Sequence, residues 1–228
     1  MKEVIQISQA HDIAHTPTLS AVDATLQAES WTAWRQSEEM RLWLPHARDG
    51  IWSAEVGFNP VRFMKTADFD LIRAASQKQR ETVKALFEAG ISIHTGTDAN
   101  APNLVPGASL QREIVLLAKA GLSAEQALEA STRVSASFLG IERAGELTVG
   151  APADLVLFRK NPLEDLSALT TLEGVAQAGR LYSERDLMDR LARYQAHHKG
   201  TAFRYGLMPA LRGILRISTG LAKWFASD

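Results

Sequence analysis

The sequence predicts an α/β fold followed by a small, mostly-β part, and the spacing of its apolar residues is the basis for this prediction. Apolar side chains recur every three or four positions over residues 68–89, Gly90 follows, and a short apolar run occupies residues 91–95. A helix and a strand joined by glycine in this order are typical of parallel strand pairing. After residue 145, long helices give way to short strand candidates, which lie at 146–149, 153–159 and 174–181.

Residues 1–145 are predicted to hold two parallel strands, near 14–18 and at 91–95, which pair with each other among several helices. The first helix covers residues 4–10, and the segment 11–19 is extended because Pro17 disfavours a helical conformation at Thr16. Asp68 is the predicted N-cap of the long helix that Gly90 ends. Further helices are predicted at 109–120 and 123–140, the second opened by a capping box of Ser123 and Gln126.

Two other segments complete the predicted organisation. Residues 146–185 form the β part, with a hairpin turn at Gly179-Arg180, and residues 186–228 form a charged and amphipathic helical tail. The segment 20–67 contains four tryptophans among charges, prolines and glycines, and it has no clear period. Two parallel strands do not make a self-sufficient sheet. We therefore expect the chain to be the last part of something larger.

Composition excludes several classes of protein. The chain has 228 residues, 46% of them hydrophobic, with 25 basic and 26 acidic side chains and a formal net charge of −1. The apolar content excludes a disordered chain. The near-zero net charge gives no electrostatic reason to expect nucleic acid as a partner. No apolar stretch reaches the roughly 18–20 residues that span a bilayer. Because there is no cysteine, a metal must be held by His, Asp or Glu, and a nucleophile must be an oxygen or a water.

The loop Gly96-Thr97-Asp98 is the main candidate site. A carboxylate just past the C-terminal end of a parallel strand faces the crevice where such folds bind ligands. Gly96 allows a tight turn, and Thr97 is expected to orient the acid by a local hydrogen bond. For an isolated Gly-Thr-Asp the alternative is a plain turn or helix-cap residue.

A series of short motifs resembles the amidohydrolase superfamily, in its imidazolonepropionase- and prolidase-like branch. The resemblance covers roughly residues 1–182 and is specific because the motifs occur in order. They are His15-Thr16-Pro17-Thr18-Leu19, His94-Thr95-Gly96-Thr97-Asp98-Ala99, Pro106-Gly107, Ala120-Gly121-Leu122-Ser123, Gly145-Glu146-Leu147, Gly150-Ala151-Pro152-Ala153-Asp154-Leu155 and Asn161-Pro162-Leu163.

The resemblance implies the C-terminal part of a metal-dependent hydrolase (β/α)8 barrel plus part of a small β-sandwich domain. Asp98 matches the aspartate at the end of the last barrel strand, which binds a divalent metal, zinc being our expectation, and takes a proton from the attacking water. Asp154 lies in the β-sandwich motif, so it is expected to be structural.

The sequence departs from the superfamily in its metal ligands. The superfamily also uses a His-x-His pair and further histidines, and the present sequence contains no His-x-His. One ligand of about five cannot hold a catalytic zinc, so we do not expect this chain alone to bind metal or to be active. His94 is a candidate for the pocket or for a core position, and His46, in the tryptophan-rich segment, is a candidate for substrate contact. For His11 and His15 a loop role is favoured over metal binding.

The tail has its own pattern. From Leu207, helical spacing separates Arg212, Arg216 and Lys223 from an apolar face. A basic amphipathic helix over 207–225 predicts contact with a membrane surface, and the alternative is packing on the barrel or on a partner subunit. Localisation is not predicted, with cytoplasmic as the default.

The function expected from these observations is hydrolysis of a carbon–nitrogen bond in a small molecule. Metal-activated water would attack in the complete enzyme, with Asp98 as ligand and general base. The alternative is a truncated, non-catalytic relative that acts by interaction or at a membrane. Exposed apolar barrel surface also predicts association into homo-oligomers.

Overall fold

A computed structural model describes residues 1–45, 47–55, 57–99 and 101–198. His46 and the predicted amphipathic helix at 207–225 lie outside the described residues. The α-helices are α1 (Lys2–Ala10), α2 (Leu19–Gln27), α3 (Trp31–Arg35), α4 (Glu38–Leu42), α5 (Thr66–Glu88), α6 (Ala108–Lys119), α7 (Ala124–Ala130), α8 (Arg133–Phe138) and α9 (Glu184–His198). The strands are β1 (Leu155–Phe158), β2 (Leu172–Gln177) and β3 (Arg180–Ser183). Short 3₁₀ turns lie at Ala28–Ser30, Pro60–Phe63 and Leu166–Thr170, and a π-turn at Ala47–Ile51.

The predicted parallel pairing is present as a single bridge between His15 and Ile93. The amide of His15 donates to the Ser92 carbonyl at 2.9 Å, and the amide of His94 donates to the His15 carbonyl at 2.9 Å. The expected strands at 14–18 and 91–95 extend no further, because Pro17 has no N–H to donate and Thr18 turns into the left-handed region at φ 48°. The direction of pairing was therefore predicted correctly, and its extent was not.

The long helix α5 begins two residues before the predicted N-cap. Asp68 lies inside the first turn, where its carboxylate accepts the amide N–H of Lys65 at 2.7 Å. The prediction of Asp68 as N-cap was wrong by three positions, since Lys65 holds the cap position and Asp68 reaches back to it. Gly90 ends the segment with φ 78°, as predicted.

The tryptophan-rich segment, residues 20–67, is helical and has its own core. Trp31, Trp34 and Met40 are buried there, and Phe69 of α5 and Leu104 pack with them. Helices of five residues, such as α3 and α4, make less than two turns, so no period could be read from them. The second core joins α5, α6 and α7 to the paired segment through residues that include Val83, Leu86, Ile93, Leu117 and Ala127.

The β part is a three-stranded antiparallel sheet in the order β1-β2-β3. Residues 153–159 and 174–181 contribute strands to it, and the strand expected at 146–149 is absent, so that prediction was wrong. Gly145 and Gly150, on either side, have positive φ, and Leu147 and Val149 are 88% and 99% exposed. No described strand pairs with residues 146–149, which adopt irregular backbone, a bend and a turn.

The hairpin between β2 and β3 turns at Ala178 and Gly179, whose φ angles are 49° and 75°. This is one residue earlier than the predicted Gly179-Arg180. Within the described ranges the three strands form one sheet, and no second sheet faces it. In those ranges, no helix combines the length and the apolar character needed to cross a bilayer.

Candidate functional site

Asp98 lies at the surface, on the loop that follows the His15–Ile93 pairing. Its backbone is left-handed at φ 57°, a conformation that aspartate adopts more readily than most residues, and its carbonyl accepts the amide of Ala101 at 2.9 Å. Its carboxylate has no hydrogen bond or ion pair with any of the residues that the structure describes. The carboxylate is thus exposed to solvent and available to an outside group.

Gly96 is in close contact with the segment before α2. A Cβ built on Gly96 would overlap the Thr16 methyl group and would lie 3.7 Å from the Thr18 methyl. Only a residue without a side chain fits between the two threonines without displacement. The sequence therefore requires glycine two residues before Asp98 so that the loop can approach the neighbouring segment.

His94 is buried, unlike Asp98. Its Nε2 is 2.9 Å from the Ser92 hydroxyl, and its ring lies 4.3 Å from the Phe138 ring, centroid to centroid. Burial lowers the pKa of the imidazole below its ordinary value, because water no longer stabilises the charged form. The structure thus places His94 in a packed environment between the paired segment and α8.

The other candidates do not converge on Asp98. Thr97 is half-buried and its hydroxyl makes no hydrogen bond within the described residues. His15 contacts the Ser8 hydroxyl through Nε2 at 2.8 Å, and His11 is exposed. The Asp154 carboxylate accepts the amide N–H of Ala178 at 3.0 Å and so holds the β2–β3 turn.

Sequence reasoning assigned no role to Glu113, a fully buried carboxylate on α6. Its two oxygens accept the amide N–H groups of Leu19, at 3.0 Å, and Ser20, at 2.6 Å. Desolvation raises the pKa of Glu113, and the two backbone hydrogen bonds partly oppose this effect. An available signal was its position one turn before Leu116 and Leu117 on the apolar face of the helix.

Sequence reasoning also missed a buried pair of asparagines. The Asn59 amide donates to the Asn103 side-chain oxygen at 2.6 Å and to the Trp52 carbonyl at 2.9 Å. Asn103 has φ 70° and lies on the loop that follows Asp98. The pair therefore ties that loop to the tryptophan-rich segment, and no local pattern in the sequence signals a contact over this separation.

The described residues do not fit a complete metal centre. Among them, no group of three or more His, Asp or Glu side chains could hold a metal ion. A catalytic zinc has three protein ligands and an open position. Asp98 by itself therefore does not make such a site.

Comparison with known proteins supports the family resemblance seen in the sequence motifs. The sequence profile of the amidohydrolase family matches residues 15–182. The chain belongs to the amidohydrolase family. A search of curated protein sequences returned no match.

Three solved structures illustrate the likeness. A bottromycin amidohydrolase is 28% identical, with a TM-score of 0.62, over 81% of this chain and 40% of its own. A Xaa-Pro dipeptidase with bound methionine in the active site is 22% identical, with a TM-score of 0.55, over 79% and 37%. The ochratoxinase of A. niger is 16% identical, with a TM-score of 0.53, over 80% and 35%.

The chain spans well under half the length of these structures. The two matches below 25% identity show the fold alone.

Proposed function

We propose that this chain forms part of a hydrolase that cleaves a carbon–nitrogen bond in a small molecule, with Asp98 accepting the proton of the attacking water. The observation that carries the proposal is the exposed Asp98 carboxylate, which has no partner among the described residues. An exposed carboxylate without an internal partner can be reached by a substrate and its attacking water, and a positioned aspartate is one of the side chains that serve as a general base. Membership of the amidohydrolase family supports the reaction class.

The proposed architecture is the C-terminal part of a (β/α)8 barrel in residues 1–145, part of a β-sandwich in 146–185 and a tail in 186–228, whose described residues lie in helix α9. The parallel bridge between His15 and Ile93 supports the first part, because parallel neighbours are the rule in such barrels. The antiparallel sheet of β1, β2 and β3 supports the second. A carboxylate beyond the end of a barrel strand faces the end where such enzymes hold their active sites.

Asp98 is also proposed as one ligand of a divalent cation, zinc being the candidate. Because the described residues provide no cluster of three ligands, the remaining ligands would have to come from elsewhere. Bound zinc lowers the pKa of a water molecule to about 7. The role proposed for this chain is narrower: Asp98 holds the negative charge and receives the proton at a carboxylate oxygen.

Reconstitution tests this proposal. The chain is co-expressed with an N-terminal segment of a related amidohydrolase that carries the histidine ligands, and hydrolysis of cyclic amides and N-acyl amino acids is measured. We expect activity that depends on Asp98 and disappears with Asp98→Asn. Activity that is unaffected by this substitution would overturn the role of Asp98.

A second candidate function is association without catalysis. Large apolar side chains are exposed on α8 and on the sheet, among them Phe138 and Leu181 at 64% and 69%. Exposed apolar surface favours self-association or docking on a partner. Size-exclusion chromatography with light scattering tests this directly, and a monomer at micromolar concentration would contradict self-association.

A further inference from the structure

Helix α2 begins without a local cap. Its N-cap residue, Thr18, has a left-handed backbone and makes no side-chain hydrogen bond to the first turn. The first amide groups of a helix have no partner within the helix, and leaving them unpaired in a buried place is costly. At the start of α2, Leu19 and Ser20 are both buried. An acceptor from outside the helix is therefore required.

Glu113 provides that acceptor from α6, more than ninety positions away in sequence. Each of its oxygens takes one amide N–H, from Leu19 and from Ser20. A carboxylate at a helix N-terminus is also favoured by the helix dipole. Glu113 is thus the residue that fixes where α2 starts.

The segment that Glu113 holds is the one that contacts the Asp98 loop. The Pro17 carbonyl just before α2 accepts a hydrogen bond from the Gln79 side chain at 2.7 Å, which holds the segment from a second side. The Thr16 and Thr18 methyl groups of this segment lie against Gly96. A continuous series of contacts therefore connects the buried carboxylate to the loop that carries Asp98.

We propose that Glu113 is a positioning residue, which holds the start of α2 and, through Thr16 and Gly96, sets the conformation of the Asp98 loop. The importance of Glu113 for catalysis rests on the proposed function of Asp98. No direct contact between Glu113 and Asp98 is involved.

The test is amide hydrogen exchange combined with ¹H–¹⁵N NMR spectra of the full chain, recorded without metal or substrate. In Glu113→Gln, the side-chain NH₂ takes the place of one carboxylate oxygen, so that a donor faces the amide N–H of Leu19 or of Ser20. We expect exchange at Leu19 and Ser20 to rise by about 10-fold or more, since hydrogen bonds to charged groups are among the stronger ones. The cross-peaks of Gly96 and Asp98 should shift at the same time.

Two further variants separate positioning from general stability. Leu117→Ala removes buried apolar volume from the same helix, and it should lower the free energy of unfolding without selectively shifting the Gly96 and Asp98 cross-peaks. Thr16→Ser removes the methyl group beside Gly96 while leaving Glu113 in place. It should therefore change the Asp98 loop without raising exchange at Leu19 and Ser20.

If Glu113→Gln does not fold, Thr16→Ser still tests the second part of this series of contacts, from Thr16 to Gly96. The proposal is overturned if Thr16→Ser leaves the Gly96 and Asp98 signals unchanged, or if Leu117→Ala shifts them as much as Glu113→Gln does. Because neither measurement uses activity, a failure here is distinct from a failure of the proposed reaction.

Discussion

The methyl group of Thr16 occupies the space that a side chain at position 96 would need. This contact joins the two segments that form the His15–Ile93 bridge, and it lies two residues from Asp98. Whatever holds Thr16 in place therefore restricts the conformations open to the Asp98 loop. The consequences can be measured at Gly96 and at the residues that support it.

Substitution of Gly96 by alanine should destabilise the chain, because the new Cβ overlaps the Thr16 methyl. Overpacking of this kind costs about 1–3 kcal/mol in the free energy of unfolding, which urea denaturation measures. Thr16→Ser removes the overlapping methyl, so the double variant should recover part of the loss. Strictly additive effects of the two substitutions on the free energy of unfolding would show that the Thr16 methyl does not restrict the size of the side chain at position 96.

The buried imidazole of His94 predicts a pH dependence of stability. Its pKa is lowered in the folded chain, whereas an unfolded histidine takes up a proton near pH 6.5. Between these two values the unfolded state binds more protons, so the free energy of unfolding should fall as the pH falls below about 6.5.

His94→Gln keeps a polar partner for Ser92 and removes the titration. The midpoint of urea unfolding, compared between pH 5 and pH 7.5, should therefore change less in His94→Gln than in the parent chain. An equal change in both proteins would contradict this origin of the pH dependence.

The Asn59–Asn103 pair predicts coupling between the tryptophan-rich segment and the loop after Asp98. Replacement of either asparagine by alanine leaves the other amide buried without its partner, at a cost of about 1–3 kcal/mol. The double substitution should cost less than the sum of the two, which a double-mutant cycle measures. The exposed Asn161 serves as control, and a cycle without coupling would disprove the link.

Zinc analysis tests the ligand count. Because Asp98 lacks two further ligands among the described residues, the purified 228-residue chain should bind no stoichiometric zinc. Elemental analysis after dialysis, with calorimetric titration, measures this. One tightly bound zinc per chain, lost on Asp98→Asn, would mean that the metal site is complete within this chain.

Local signals explain which parts of the fold could be predicted from sequence. The capping box of Ser123 and Gln126 is present, with hydrogen bonds of 2.8 and 3.1 Å, because it depends only on residues three positions apart. The same holds for Gly90, whose left-handed backbone ends α5. In the β part, β1 and the hairpin of β2 and β3 followed from short apolar runs and from glycine at the turn.

Features that depend on distant residues could not be predicted. In the sequence, Glu113 is one acidic residue on an amphipathic helix. Its role depends on the backbone amide groups of Leu19 and Ser20, which lie more than ninety positions earlier. The strands at 14–18 and 91–95 were predicted too long because apolar runs do not show where pairing stops. At the site, the position of Asp98 on a loop after residues 91–95 could be predicted from the local sequence, whereas the supporting contacts of Thr16 and Asn103 could not.

The most direct test of the account is the turnover of the reconstituted enzyme with two matched substitutions. Asp98→Asn keeps the size of the side chain and removes the charge and the proton acceptor, so kcat should fall by about 10²–10⁴. Asp154→Asn changes a carboxylate that holds the β2–β3 turn and should leave kcat nearly unchanged. An enzyme that tolerates Asp98→Asn and loses turnover with Asp154→Asn would contradict the assignment of Asp98 as the catalytic carboxylate.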